Sequence, residues 1–176
     1  KFKLFKEHIH KHDAFIVFSR RNVHAVAGEL RTMGINCSVI YGNLPYDVRQ
    51  EEARRFRDGE TDVVVATDAI GMGMNLPIER LVFLEISKFD GTDTRLLKPA
   101  EIQQIVGRAG RRGLYEKGLW NALEGKDIIA SAVDLEIPQI EAVYAGFPES
   151  LITIEGKLSG IISEWRNIEP PEGYII

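Results

Sequence analysis

The stretch QQIVGRAGRRG, residues 103–113, sets arginines at 108, 111 and 112, with Gly107 before the first and Gly110 before the second. Arg108 and Arg111, three residues apart, have the type and spacing to reach a phosphate chain together. A guanidinium is a planar, permanently charged fork that matches phosphate oxygens. The charge of a transferring phosphoryl group is spread over its oxygens. Guanidinium groups that come from outside the nucleotide's own cradle contribute roughly 10³–10⁵ in rate there. A plainer account is a helix ending at Gly107 that places cations at its negative end, worth a few tenths to about 1 kcal/mol. That accounts for one arginine but not for glycines beside a spaced pair.

Two other stretches carry chemistry of the same kind. ATDAIGMGMNLP, residues 66–77, passes through Thr67 and Asp68 and then Gly71 and Gly73. Glycines let backbone amides approach phosphate oxygens, and a hydroxyl at a helix start can donate to another. Asn75 offers a donor and an acceptor suited to a ribose hydroxyl. A glycine cap with Asp68 as the N-cap is the structural alternative. In FSRRN, residues 18–22, Ser19 can cap a helix, and Arg20 and Arg21 can touch a nucleic-acid backbone or simply be solvated.

These residues need a scaffold, and the hydrophobic pattern supplies one. AFIVF (14–18), DVVVAT (62–67) and RLVFLEI (80–86) are almost wholly apolar and rich in branched residues, as strands buried on both faces of a parallel sheet are. NCSVIYG (36–42) and GLWNAL (118–123) are weaker strand candidates. Between them lie helical patterns. Val23, Val26, Ala27, Leu30 and Met33 recur at helical spacing and Gly34 ends the run. Pro45 opens a second helix with an apolar stripe of Val48, Ala53 and Phe56, closed by Gly59. Pro99 opens a third, with Ile102, Ile105 and Val106. The alternation predicts a doubly wound α/β fold, in which ligands gather beyond the carboxyl ends of the strands. After residue 123 the pattern changes to short helices, over GKDIIASAV, PQIEAVYAGF and ESLITIEGKLSGIISEWRNI. The expected division is therefore 1–123 for the α/β domain and 124–176 for the start of a helical extension.

The composition is 44% hydrophobic and 27% charged over 176 residues, that of an ordinary globular domain with a short appendage. No run approaches the length of a membrane span, so no membrane partner is expected. The start KFKLFKEHIHKH has neither a clean signal peptide nor a cleavage site, as expected of an excised piece of a longer chain. The single Cys37 cannot form an internal disulfide and is expected to be packed and inert in a reducing compartment. The expected location is the cytoplasm of a bacterium, or an organelle or the nucleus of a eukaryote, and not secretion. The net charge of −4 disfavours a dedicated nucleic-acid coat, but it is unevenly spread. Residues 1–60 carry 11 Lys and Arg against 8 Asp and Glu, whereas residues 121–176 carry 3 against 10.

FIVFSRR, VIYGNLPYDVRQEEARRF, VVVATDAIGMGMNLP and QQIVGRAGRRG, in this order, resemble motif IV, the helix after it, motif V and motif VI of the superfamily 2 helicases. Within these, the chain resembles the DExH/D RNA helicases of the mitochondrial degradosome type and their bacterial relatives, which also have a KFDG segment, here Lys88–Gly91. The resemblance spans about residues 14–113, and IPQIEAVYAGFP is more loosely similar to the helical C-terminal region of that group.

The resemblance implies a RecA-like doubly wound parallel sheet in three αβα layers, the second lobe of an ATP-driven motor. It gives Arg108 and Arg111 the role of reaching the ATP γ-phosphate, and places Gly73, Asn75 and Gln104 beside the nucleotide. It puts Thr67, with Ser19, Arg20 and Gly42, along the nucleic-acid backbone. Ile105 stands where many DEAD-box members carry another arginine, which favours the DExH side. No GxxxxGK[ST] loop and no DExH or DEAD tetrapeptide occurs in these 176 residues. ATP and Mg²⁺ are therefore expected to be bound mainly by an N-terminal RecA-like domain of the same protein, with RNA as the other partner. Two alternatives remain. GMGMNLP also resembles motif V of RecQ-type DNA helicases, and a helicase-like lobe can serve as a protein-interaction module without motor activity.

Overall fold

The computed structural model describes residues 2–71, 74–110, 115, 117–136, 143–144, 156–169 and 174–175. The chain divides into a unit of residues 1–135 and a second of residues 136–176. Among the described residues no helix is long and apolar enough to cross a membrane.

The first unit is a five-stranded parallel sheet. Its strands are β1 (Asp13–Ile16), β2 (Cys37–Ile40), β3 (Val63–Ala66), β4 (Arg80–Phe83) and, after a small hairpin of β5 (Ser87–Phe89) and β6 (Thr94–Leu96), β7 (Leu119–Ala122). They lie in the order β2-β3-β1-β4-β7, and every pairing in that sheet is parallel. All five runs expected to be strands are strands. The hairpin is an addition: SKFDGTDTRL is too polar and too short to announce a pair of strands.

Four helices flank the sheet: α1 (Arg20–Thr32), α2 (Tyr46–Arg57), α3 (Pro99–Val106) and α4 (Lys126–Val133). The step from β1 to β2 runs one way across the sheet, and the later steps run the other way. Right-handed crossovers then put α1 on one face and the remaining helices on the opposite face. The core follows this division. Phe15, Val17, Val63 and Val65 pack with Val23, Val26, Ala27 and Leu30 of α1. Their strand neighbours Ala14, Ile16, Val64 and Ala66 pack on the other side with Phe56 of α2, Ile102 and Ile105 of α3 and Ile129 of α4. Full burial of each such aliphatic or aromatic side chain stabilises by about 1.5–3 kcal/mol. Val48 departs from its expected place: it is 46% exposed. Five residues before Ala53 is about 140° around a helix of 3.6 residues per turn, off the buried face.

Local chemistry sets the helix ends. Ser19 Oγ accepts a hydrogen bond from the Asn22 amide, 3.1 Å, and caps α1. Gly34, at φ 76°, turns the chain out of α1 into β2. Buried Asp13 at the start of β1 takes Arg80 of β4 on both carboxylate oxygens, at 2.9 and 2.6 Å. Cys37 is buried and free, and burial raises its thiol pKa, which makes it unreactive.

In the second unit, Leu158–Arg166 form α5. Residues 138–147 were expected to be helical. Instead Val143–Tyr144 form β8, paired in parallel with β9 at Tyr174–Ile175. Extended backbone there is consistent with the valine–tyrosine pair, both of which favour strands. The rest of that stretch lies outside the described residues.

Candidate nucleotide and nucleic-acid interface

The residues singled out in the sequence fall into two groups. The first lies where the chain leaves β1, β2 and β3, three adjacent strands, at the carboxyl edge of the sheet. The loops after β1 and β3 diverge to opposite faces, the arrangement that opens a crevice in such folds. Ser19 and Arg20 follow β1, Gly42 follows β2, and Thr67 follows β3.

Each of these has a local structural role as well. Ser19 is the N-cap already described. Arg20 is exposed, with its guanidinium carbon 5.7 Å from the centre of the Tyr41 ring. Thr67 is nearly buried and its hydroxyl accepts from the Ala69 amide, 3.2 Å, at the start of a one-turn 3₁₀ segment, Asp68–Gly71. The alternative that made Asp68 the cap is therefore corrected: Thr67 takes that amide, and the Asp68 carboxylate turns to Lys88 Nζ, 2.8 Å away. Gly42 is exposed and its own carbonyl accepts from Arg49 Nη2 at 3.4 Å. A Cβ built on Gly42 would meet nothing within 4 Å, so the packing of this chain does not require a glycine there.

A carboxylate that the sequence gave no reason to notice organises this edge. Glu85, just beyond β4, accepts from the Phe18 amide at 2.7 Å and from the Asn22 side-chain amide. It fixes the FSRRN turn from more than sixty residues away, and no local pattern announces such a partner.

The second group lines a cleft on the α3 side. Asn75 and Arg108 share it with Met74, Leu76, Ile78 and Gly107. Arg108 comes off the end of α3, which is capped at Gly107 by a backbone bond to Gln103. Its guanidinium is half-buried and donates through Nη2 to the Gly71 carbonyl. Among the described residues no carboxylate pairs with it. Asn75 is exposed on the facing segment. Gln104 is exposed too, and it backs onto Gly71: a Cβ there would lie 3.3 Å from Gln104 Cγ. Its neighbour Gln103 is structural, donating to the carbonyls of Ala132 at 2.8 Å and Leu135 at 2.6 Å and closing the end of α4. Ile105 is core, 1% exposed.

The glycines of this segment have separate reasons. Gly110 sits at φ 74° and its Cα faces the backbone of Gly118, so a Cβ at either position would overlap the other strand of chain. The Gly110 amide donates to Ile78 at 3.0 Å. The glycine before Arg111 thus serves close packing at the entry to β7. Gly73 and Arg111 themselves lie outside the described residues.

Matches to known proteins identify the family and the fold. Residues 1–113 match the model of the helicase conserved C-terminal domain. The chain belongs to this family. A DExH-box ATP-dependent RNA helicase of Arabidopsis thaliana, DExH16, mitochondrial, is 47% identical over 102 residues, 56% of this chain and 18% of that protein. A second from the same plant, DExH18, mitochondrial, is 39% identical over 141 residues, 77% of this chain and 18% of its own length. The solved C-terminal domain of the DEAD-box protein Dbp5 superposes with a TM-score of 0.57 at 21% identity, over 75% of this chain and 76% of that one, which establishes the shared RecA-like fold. The chain spans less than a fifth of the length of the curated relatives it matches.

Proposed function

We propose that this chain is the C-terminal motor lobe of an ATP-dependent RNA helicase. Arg108 and Arg111 complete the nucleotide site of an N-terminal RecA-like lobe, and the carboxyl edge of the sheet forms half of the RNA groove. The observation that carries the reading is the state of Arg108. It is a guanidinium held by a backbone carbonyl, with no carboxylate to neutralise it among the described residues, in a cleft that also presents Asn75. Such a group gives charge and hydrogen bonds to phosphate oxygens at no cost of breaking an ion pair first. Gly73, Asn75 and Gln104 lie on the nucleotide side. Ser19, Arg20, Gly42 and Thr67 track the phosphodiester backbone, where amides, hydroxyls and helix starts supply contacts without much net charge. The open space at Gly42 supports close approach of a backbone at that point.

ATP and Mg²⁺ are held by the other lobe. The described residues contain no group of three or more His, Cys, Asp or Glu placed to hold a metal, and what Mg²⁺ supplies, when bound, is neutralisation of phosphate charge. The part played by this chain is orientation and closure: ATP draws the lobes together because the Arg108 guanidinium, which no carboxylate among the described residues neutralises, gains phosphate oxygens when the cleft shuts, and Arg111 is assigned the same task. RNA rather than DNA is the preferred partner because the relatives carry RNA helicase names. Their mitochondrial location supports an organelle if the source is eukaryotic.

The test compares this chain alone with the same chain joined to its N-terminal lobe. The joined protein is expected to hydrolyse ATP with stimulation by RNA above that by DNA, and the isolated chain to show only a trace. Robust RNA-stimulated turnover by the isolated chain contradicts the reading.

A further inference from the structure

The β5–β6 hairpin has no role in the reading above, yet it is tied to the turn after β3 by a dense set of charges. Lys88 of β5 places its Nζ 2.8 Å from Asp68 Oδ2 and 2.8 Å from Glu101 Oε1. Arg95 of β6, directly across from Lys88 in the hairpin, grips the same Glu101 with both terminal nitrogens, at 2.9 and 3.0 Å. Two cations facing each other across a strand pair repel, and Glu101 between them removes the penalty. Glu101 also accepts the Lys98 amide at 2.7 Å at the start of α3. The Arg95 guanidinium, against the opposing effect of burial and with Lys88 assisting, holds its carboxyl far below the usual carboxylate range. Burial works to lower the Lys88 ammonium, but its bonds to Asp68 and Glu101 outweigh burial and raise it.

Lys88 holds a particular place in this set. Arg95 joins the hairpin to α3, but Lys88 alone among the described residues also reaches Asp68. Asp68 opens the 3₁₀ turn that ends at Gly71, and the Gly71 carbonyl is the acceptor of Arg108. Glu101 stands in the first turn of α3, the helix from whose far end Arg108 projects. The two supports of Arg108, its acceptor and its helix, are therefore bound to one lysine, whose side chain is 19% exposed.

We propose that Lys88 is a positioning residue for nucleotide hydrolysis: by bridging Asp68 and Glu101 it fixes the separation of the 3₁₀ turn and α3, and so the aim of Arg108. The inference rests on the role given to Arg108 above. A flexible lysine stem with three donors can join two carboxylates from different elements; loss of the bridge lets α3 and the turn drift, and misplacement of about 1 Å at a reacting group costs on the order of 10²-fold.

The experiment is a double-mutant cycle in the protein that joins both lobes, with steady-state ATP hydrolysis in saturating RNA as the readout. Lys88→Met is expected to lower kcat by about tenfold or more while KM for ATP stays within about twofold. In an Arg108→Lys background the same change is expected to cost less than about twofold, because a residue acting through Arg108 has nothing left to aim. Lys88→Arg, which can still span both acids, is expected to restore most of the rate. If Lys88→Met fails to fold, Asp68→Asn cuts the same link and takes its place in the cycle. An unchanged kcat, or losses that add in the two backgrounds, overturns the role of Lys88. An Arg108→Lys protein with full activity overturns instead the function proposed for Arg108.

Discussion

Arg80 and Arg108 are both partly shielded guanidinium groups at the ends of the same α/β layer, and they are held in opposite ways. At the amino edge of the sheet, Arg80 closes on Asp13 with two bonds and donates to the His8 carbonyl at 2.7 Å. Asp13, 1% exposed, also accepts the His10 amide at 2.8 Å. That site is complete within the chain. Among the described residues Arg108 has a single backbone carbonyl to hold it in place. On the function proposed for Arg108, the difference separates charge used by the fold from charge kept for a ligand. An arginine that serves folding finds a carboxylate, because a buried acid cannot be left alone. An arginine that serves a phosphate does better without one, since an internal ion pair would have to break before the phosphate could bind.

The contrast gives outcomes that can break it. Arg108→Ala in the protein with both lobes is expected to cost about 10³-fold or more in kcat for ATP hydrolysis, with the melting temperature of the lobe unmoved. A large fall in melting temperature would place Arg108 with Arg80 as a structural group. Arg80→Met is expected to do the reverse. It strands the Asp13 carboxylate in the interior, a loss near the lower end of about 3–5 kcal/mol for a broken buried pair, because Arg80 keeps some solvent contact. Chemical denaturation of the isolated lobe measures this, and ATP turnover per folded molecule in the joined protein should stay near normal.

The smallest effect concerns acid. The carboxyl of Glu101 is depressed in the folded lobe, first by Arg95. A group with a depressed folded pKa contributes stability above its unfolded value of about 4.3 and loses it as pH falls toward the folded value. Thermal melts between about pH 6 and pH 3 should show stability falling on the acid side, and Glu101→Gln should flatten that limb. A Glu101→Gln protein whose acid limb is as steep as the parent's would mean that other carboxylates carry the loss.

The sheet was legible because strands buried on both faces leave unbroken apolar runs, as in AFIVF and DVVVAT, and because α1 carries both its cap and its closing glycine in sequence. The motif segments were legible as segments because their residues are close in the chain: Thr67 and Gly71 are four apart. What stayed hidden was pairing at long range. The bridge of Glu85 to the FSRRN turn and that of Lys88 to Asp68 span 63–67 and 20 residues; a lone acid or lysine in a polar stretch has the same local pattern whether it is solvated or paired. The reason for Gly110 was hidden likewise. It looked like a hinge for arginines, and it is the point where two backbones touch. Val48 was misplaced by counting apolar residues without measuring their angle around the helix.

The measurement that bears most directly on Arg108 compares two ligands of the protein with both lobes, ADP and ADP with aluminium fluoride, a mimic of the phosphoryl group in transfer. A group that acts on the transition state must discriminate between them. Arg108→Ala is predicted to weaken the aluminium fluoride complex by at least about 100-fold and ADP alone by no more than about threefold. Equal losses for both ligands, or no loss for either, would contradict the account.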